Sequence, residues 1–207
     1  SSRHSVGARM VVALIGLRLW ESGEYVMAFI VPLLFHLYLR PGEIFKVRAK
    51  VVVSPVQGSM YNMYSLNLHP QEAGIASKVC EFDETAVIDQ EQFQVLGVAR
   101  RRLKRYKRPD DLLVDCSQAE FSKDFVAAAR LEGLSVLASH TYQLRHSGPS
   151  HDRALKLRSM TEIKLRCTWK SATSLRRYQK EGRVSGQMAK LAPEMRRRAL
   201  AAPRALL

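Results

Sequence analysis

Apolar positions recur at helical spacing from residue 8 to residue 21 (Val11, Val12, Leu14, Ile15, Leu19), and Ser22-Gly23 ends the run. Glu24 to Tyr38 is a second and more strongly apolar stretch, expected to be a helix buried on most sides, with Pro32 kinking it or lying near its first turns. A Pro-Gly turn follows in Leu39-Arg40-Pro41-Gly42-Glu43. Ile44 to Arg48 then predicts a short helix leading to Val51-Val52-Val53. Tyr61 to His69 alternates apolar and polar side chains, the pattern of a half-buried strand, and Ile75 to Phe82 and Thr85 to Asp89 suggest two more. These three runs predict a small three-stranded antiparallel sheet. Gln90 to Leu103 reads as a helix.

An amphipathic helix is expected to start at Ser117 or Gln118, with Phe121, Phe125, Val126 and Ala129 inward and Gly133 just past its end. From His140 to Tyr178, helical spacing returns at Leu155, Ile163, Leu165 and Trp169. The remainder predicts a short helix and a mobile tail. The pattern is α+β and mostly helical: one domain over residues 1–190, followed by a basic tail over 191–207.

Charge adds a partner to this picture. The 207 residues carry a net charge of +14, with a pI near 10.1, which calls for an anionic partner. Up to position 98 there are 8 basic and 9 acidic residues, and after it 25 and 10, so the charge belongs to a face and not to a general coat. The densest run is Arg100, Arg101, Arg102, Lys104, Arg105, Lys107 and Arg108, interleaved with Leu103 and Tyr106. Such a run neutralises nucleic-acid phosphates without reading sequence. It also suits a solvated surface or a nuclear targeting signal. A hydrophobic content of 46% fits a globular chain. The apolar run Met27 to Leu39 is too short to span a bilayer, so no membrane association is expected. Cys80, Cys116 and Cys167 are too widely spaced for zinc and odd in number, which predicts reduced thiols in an intracellular protein.

Three stretches carry candidate chemistry. Arg40 and Glu43 stand three apart after an apolar helix. Tyr142-Gln143-Leu144-Arg145-His146-Ser147 is followed by Ser150-His151. Arg166-Cys167-Thr168-Trp169 stands nine positions before Tyr178, which lies beside Arg176-Arg177. Arginine on a packed helix is a planar fork for phosphate oxygens. An activated tyrosine hydroxyl beside such a fork can attack that phosphate. Taken singly, these residues suit a surface ion pair, a structural salt bridge and core aromatics equally well.

In order and spacing the pattern resembles the catalytic domain of the tyrosine recombinases, the phage-integrase family. That family has an Arg-x-x-Glu box, a His-x-Leu-Arg-His box and a Leu-Gly-His box nine residues before its nucleophilic tyrosine. Here Tyr142 stands where a histidine is usual, and Trp169 replaces the second histidine, as in some eukaryotic members. The resemblance covers roughly residues 25–180. It implies Tyr178 as nucleophile, Arg40 and Arg145 as the phosphate clamp, and Lys78, in a β-hairpin, as the acid. Trp169 and Tyr142 would support the phosphate, with Glu43 and His146 in supporting roles. It further implies double-stranded DNA as substrate, a homo-oligomer (a tetramer on DNA), no metal or other cofactor, and action in the nucleus of a eukaryote or otherwise in the cytoplasm. The helical DNA-gripping domain that usually precedes this one is expected to be absent.

Three other readings stay open on the residues. One is a non-catalytic DNA-binding remnant of a mobile element. Another is a type IB topoisomerase-like activity built on the same chemistry. The third is a metal site from His140, His146 and His151, disfavoured because helical geometry points these side chains in different directions.

Overall fold

The computed structural model describes residues 9–56, 58, 63–69, 71, 74, 84–89, 106–167 and 191–205. The chain divides into two units: Ser1–Pro41 with Ser117–Leu207, and Gly42–Cys116. The first unit is helical where described. The second holds a small antiparallel sheet. This mixture of helix and strand is the α+β class expected from the pattern.

In the helical unit, α1 (Arg9–Glu21) and α2 (Tyr25–Leu37) form a hairpin about Ser22-Gly23, with Gly23 at φ 84°. The other helices are α4 (Gln118–Leu131), α5 (Tyr142–Ala154), α6 (Met160–Arg166) and α7 (Pro193–Ala205). Helix α1 packs against α2, α4, α5 and α7, which explains why Val11, Val12, Leu14, Ile15, Leu17 and Leu19 are all buried. A helix with partners on several sides gains burial from every face, so its sequence shows little amphipathic contrast. Pro32 lies inside α2, and the helix continues through it to Leu37. Tyr38 then turns left-handed at φ 55° and ends the helix.

Helix α4 begins as its sequence suggests. The Ser117 hydroxyl accepts from Glu120 N, and the Glu120 carboxylate accepts from Ser117 N, which closes a capping box. Gly133 at φ 68° ends it. Phe121, Phe125, Ala128 and Ala129 face the core, whereas Val126, expected inward, is 42% exposed.

The segment after His140 differs from the expected run of helical spacing. Helix α5 stops at Ala154, Lys156 turns left-handed at φ 55°, and Ser159 starts α6 with a second capping box to Glu162. Ile163 is buried, but Leu155 (58% exposed) and Leu165 (72% exposed) are not, because the break resets the helical phase that made them look inward. The short helix expected after Tyr178 is α7, which takes in most of the basic tail expected over 191–207 and packs on α1. Arg198 of α7 binds Glu132 (Nη1 to Oε2, 2.6 Å) and Glu21 (Nη2 to Oε2, 3.0 Å), and Arg18 reaches the other Glu132 oxygen at 2.6 Å. Buried Glu132 therefore ties α1, the end of α4 and α7 together.

Residues 42–116 form the second unit. Helix α3 (Pro41–Ile44) leads into it, and a 3-10 turn at Ala49–Val51 stands near the place where a helix over Ile44 to Arg48 was expected. The sheet has the order β1 (Val52–Val53), β2 (Tyr64–Leu68), β3 (Glu84–Ile88), antiparallel throughout, with Leu66 opposite both Val52 and Ala86. Three strands were expected, but the first is Val52–Val53, and the expected strand at residues 75–82 lies outside the described residues. The segment after residue 106 returns along the 3-10 turn: Leu113 N donates to Val47 O (2.8 Å), Ala49 N to Asp111 O (2.9 Å) and Lys50 N to Pro109 O (2.9 Å). Leu113 and Val114 are buried, while Leu112 is exposed. Among the described residues, no helix is long and apolar enough to cross a membrane.

Candidate functional site

Helix α5 brings the chemistry-bearing residues of the helical unit together. Its start is fixed by Gln143, whose Oε1 accepts from Ser139 N (2.8 Å) and His140 N (3.2 Å). Nearly two turns in, Gly148 lies so close to α2 that a Cβ there would stand 1.9 Å from Phe35 O and 2.6 Å from Tyr38 Cδ1. This contact presses the Arg145 face of α5 onto the end of α2.

Arg145 is 3% exposed. Its Nη1 donates to Tyr38 O at 2.7 Å and its Nη2 to Cys167 O at 2.8 Å. Both carbonyls belong to helix ends, Tyr38 closing α2 and Cys167 closing α6, where intrahelical partners run out. One guanidinium thus pins the backbone two residues before Arg40 and two residues before Trp169.

Around this pin lies a layer of buried polar groups. Tyr38 (1% exposed) donates its hydroxyl to Asp152, and Arg158 Nε donates to the same Asp152 oxygen at 3.0 Å. Arg166 stacks over the Tyr38 ring, 5.5 Å from its centroid, while its Nε and Nη2 donate to His36 O, each at 3.2 Å. Tyr38, Ile163 and Cys167 pack together with Met160 against them. Burial and the neighbouring Asp152 carboxylate push the Tyr38 hydroxyl far up, so it holds its proton and is no nucleophile.

The Cys167 thiol measures the local field. Burial pushes it up to about 12, against the opposing pull of Arg145, Arg166 and Arg40. Three guanidinium groups therefore act on one buried sulfur, and Arg40 and Arg145, separated by 105 positions in the sequence, share this neighbourhood. The Asp152 carboxylate acts on the same sulfur with the opposite sign.

Two histidines adjoin it. His36 is held well below its ordinary value by burial, then by Arg9, His151, Arg166 and Arg158. Burial also lowers His151, with Asp152 opposing. Both are neutral in the folded chain at pH 7. Their folded values lie below the unfolded one, so the unfolded chain binds more protons as pH falls. The stability associated with the neutral rings is present above about 6.5 and lost below it. The melting temperature is expected to fall from about pH 7.5 to about pH 5, and less steeply in His36→Leu. Thermal melts across that range check this, and a wild-type midpoint that stays flat refutes it.

The other expected site residues divide into two groups. Tyr142 is 46% exposed, with its ring edge-on to His146 at 5.0 Å between centroids. Glu43 is 9% exposed in α3. Of the basic run, Arg108 is exposed and Lys107 pairs with the Asp115 carboxylate, which commits one expected phosphate contact to an internal partner. Lys78, Trp169, Tyr178, Arg100, Arg101, Arg102, Lys104 and Arg105 lie outside the described residues. His140, His146 and His151 do not gather at metal-ligand distance.

Sequence reasoning missed Tyr38, His36, Asp152, Arg158 and Arg166. One signal was available: Asp152 is the sole aspartate between His140 and Tyr178, in a stretch dense with arginine. An aspartate buried there must be paired.

No protein-family model matches the chain, and no curated protein matches it.

Proposed function

We propose that the chain cuts and rejoins DNA strands through a 3′-phosphotyrosyl intermediate on Tyr178. The observation that supports the reading is that the charges of Arg145, Arg166 and Arg40 all act on the buried Cys167 thiol, two residues before Trp169 and eleven before Tyr178 in the sequence. Fixed guanidinium charge of this kind stabilises the negative charge that develops on phosphoryl oxygens.

In this mechanism the Tyr178 oxygen forms a bond to phosphorus as the bond from phosphorus to the 5′ oxygen breaks. The tyrosine proton passes to a nearby base, and Lys78 gives a proton to the departing 5′ oxygen. Nothing is oxidised or reduced. A 5′ hydroxyl later attacks the phosphotyrosine and reverses the exchange, so the bond energy is retained without a nucleotide cofactor. The Trp169 indole N–H, Tyr142 and His146 support the phosphate, and Glu43 supports Arg40. Duplex DNA is the substrate, bound by a homo-oligomer (a tetramer on the DNA), with the run from Arg100 to Arg108 supplying backbone contacts and a steep salt dependence.

A second reading, DNA binding without chemistry, is favoured by a separate observation. Arg145 is buried and gives two of its donors to main-chain carbonyls. The two readings diverge on nicked suicide duplexes drawn from a genomic fragment library. The enzyme forms a covalent adduct that survives denaturing electrophoresis and drops by about 10⁴-fold or more in Tyr178→Phe. Salt-dependent binding by the folded wild-type chain with no adduct establishes the binding module instead. Relaxation of supercoiled plasmid lacking any preferred site assigns the same chemistry to a topoisomerase.

A further inference from the structure

The described residues of the second unit contain one cluster of metal-ligating side chains, of which the phosphotyrosyl chemistry uses only Glu43. Strands β2 and β3 pair with Leu68 opposite Glu84, so His69, the next residue, leaves the sheet beside Glu84. Glu43 comes from α3. One ligand atom from each of Glu43, His69 and Glu84 lies within 4.8 Å of the other two. Glu43 is 9% exposed, and Glu84 Oε1 is buried with no hydrogen-bond partner among the described residues.

We propose that Glu43, His69 and Glu84 bind one divalent transition-metal ion. Two carboxylates this close repel one another, and a buried carboxylate oxygen without a donor is costly. An imidazolium hydrogen bond from His69 would remove both costs, but Glu84 Oε1 has no such partner. A cation about 2.0–2.2 Å from each ligand atom supplies Glu84 Oε1 with a partner and offsets the repulsion between the two carboxylates. One imidazole with two carboxylates is a borderline-to-hard donor set, suited to Zn²⁺ or Mn²⁺ and unsuited to soft Cu⁺. Three side chains leave coordination positions for water. The ion clips α3 to the end of the β2–β3 pair, which is a structural role. Only Glu43 is shared with the phosphotyrosyl mechanism, and the variants tested lie at the other two ligands, so either proposal can fail without the other.

The test uses the full chain, produced without a polyhistidine tag and stripped with a chelator. Titration calorimetry with ZnCl₂ and electron paramagnetic resonance with MnCl₂ are expected to show one ion per chain. Affinity should drop at least tenfold in Glu84→Gln and in His69→Gly, glycine being chosen because His69 sits at φ 54°. Added ion should raise the wild-type melting temperature and leave those of the variants unmoved. A folded wild-type chain that binds no ion overturns the proposal, as does undiminished binding by the two variants. If the variants do not fold, the wild type loaded with Co²⁺ decides: visible d–d bands saturating at one equivalent support the site, and their absence overturns it.

Discussion

Replacing Arg145 by alanine is expected to lower stability by about 2–6 kcal/mol, because it strands two buried carbonyls at about 1–3 kcal/mol each. The carbonyls are those of Tyr38 and Cys167, which Arg145 Nη1 and Nη2 satisfy at 2.7 and 2.8 Å. Lysine should recover only part of the loss. Its single ammonium is a point donor on a flexible stem, and it cannot span two carbonyls as a planar fork does. Urea denaturation of wild type, Arg145→Lys and Arg145→Ala measures the ladder. An unchanged midpoint in Arg145→Ala would mean that the side chain does not support the fold. Since the same residue is proposed to meet phosphate, DNA binding and adduct formation should be read at a temperature where Arg145→Lys is still folded. A clamp loses activity there while the fold persists, and a pure strut does not.

Gly148→Ala is the other large effect. On an exposed helix this change stabilises by up to about 1 kcal/mol. Here the new methyl would stand 1.9 Å from Phe35 O and 2.6–2.7 Å from the Tyr38 ring. A backbone carbonyl of α2 cannot swing aside as a side chain can, so the two helices must separate. Overpacking of a tight core costs about 1–3 kcal/mol and sometimes more, and a clash with backbone belongs at the upper end. The separation also pulls Tyr38 from Asp152 and from the Arg145 pin. We expect a net loss of about 3 kcal/mol or more, or no folded protein. Gly133→Ala is the control: no atom lies near its Cβ, and only its φ of 68° is at stake, a cost of about 1–2 kcal/mol. Thermal melts of both variants decide, and a Gly148→Ala midpoint at or above that of Gly133→Ala contradicts the packing account.

Both predictions turn on contacts with the end of α2, more than a hundred positions away, and the amino-acid order is informative only about nearer things. Helices α1, α2 and α4 were legible because hydrophobic spacing, Ser22-Gly23, the Ser117–Glu120 box and Gly133 are local signals. The strands Tyr64–Leu68 and Glu84–Ile88 were legible from alternation. The break after Ala154 was missed because Leu155 and Leu165 keep helical phase in the sequence while Lys156 turns left-handed between them. The strand Val52–Val53 was missed because it is two residues long, too short to carry a period.

For the site, the sequence by itself offered Arg40, Arg145 and Tyr178 as candidates to meet a phosphate, and it determined that the surplus positive charge lies after position 98. Tertiary structure alone decided that Arg145 is nearly sealed from solvent, that it pins the ends of two helices, and that Arg166 joins Arg40 and Arg145 about Cys167. Tertiary structure alone also made Tyr38 a proton-holding donor to Asp152. The physical reason is that charge and hydrogen-bonding capacity belong to a residue type. Burial, and hence the dielectric in which a charge acts and the partner on which a donor is used, belongs to whatever the fold packs against it.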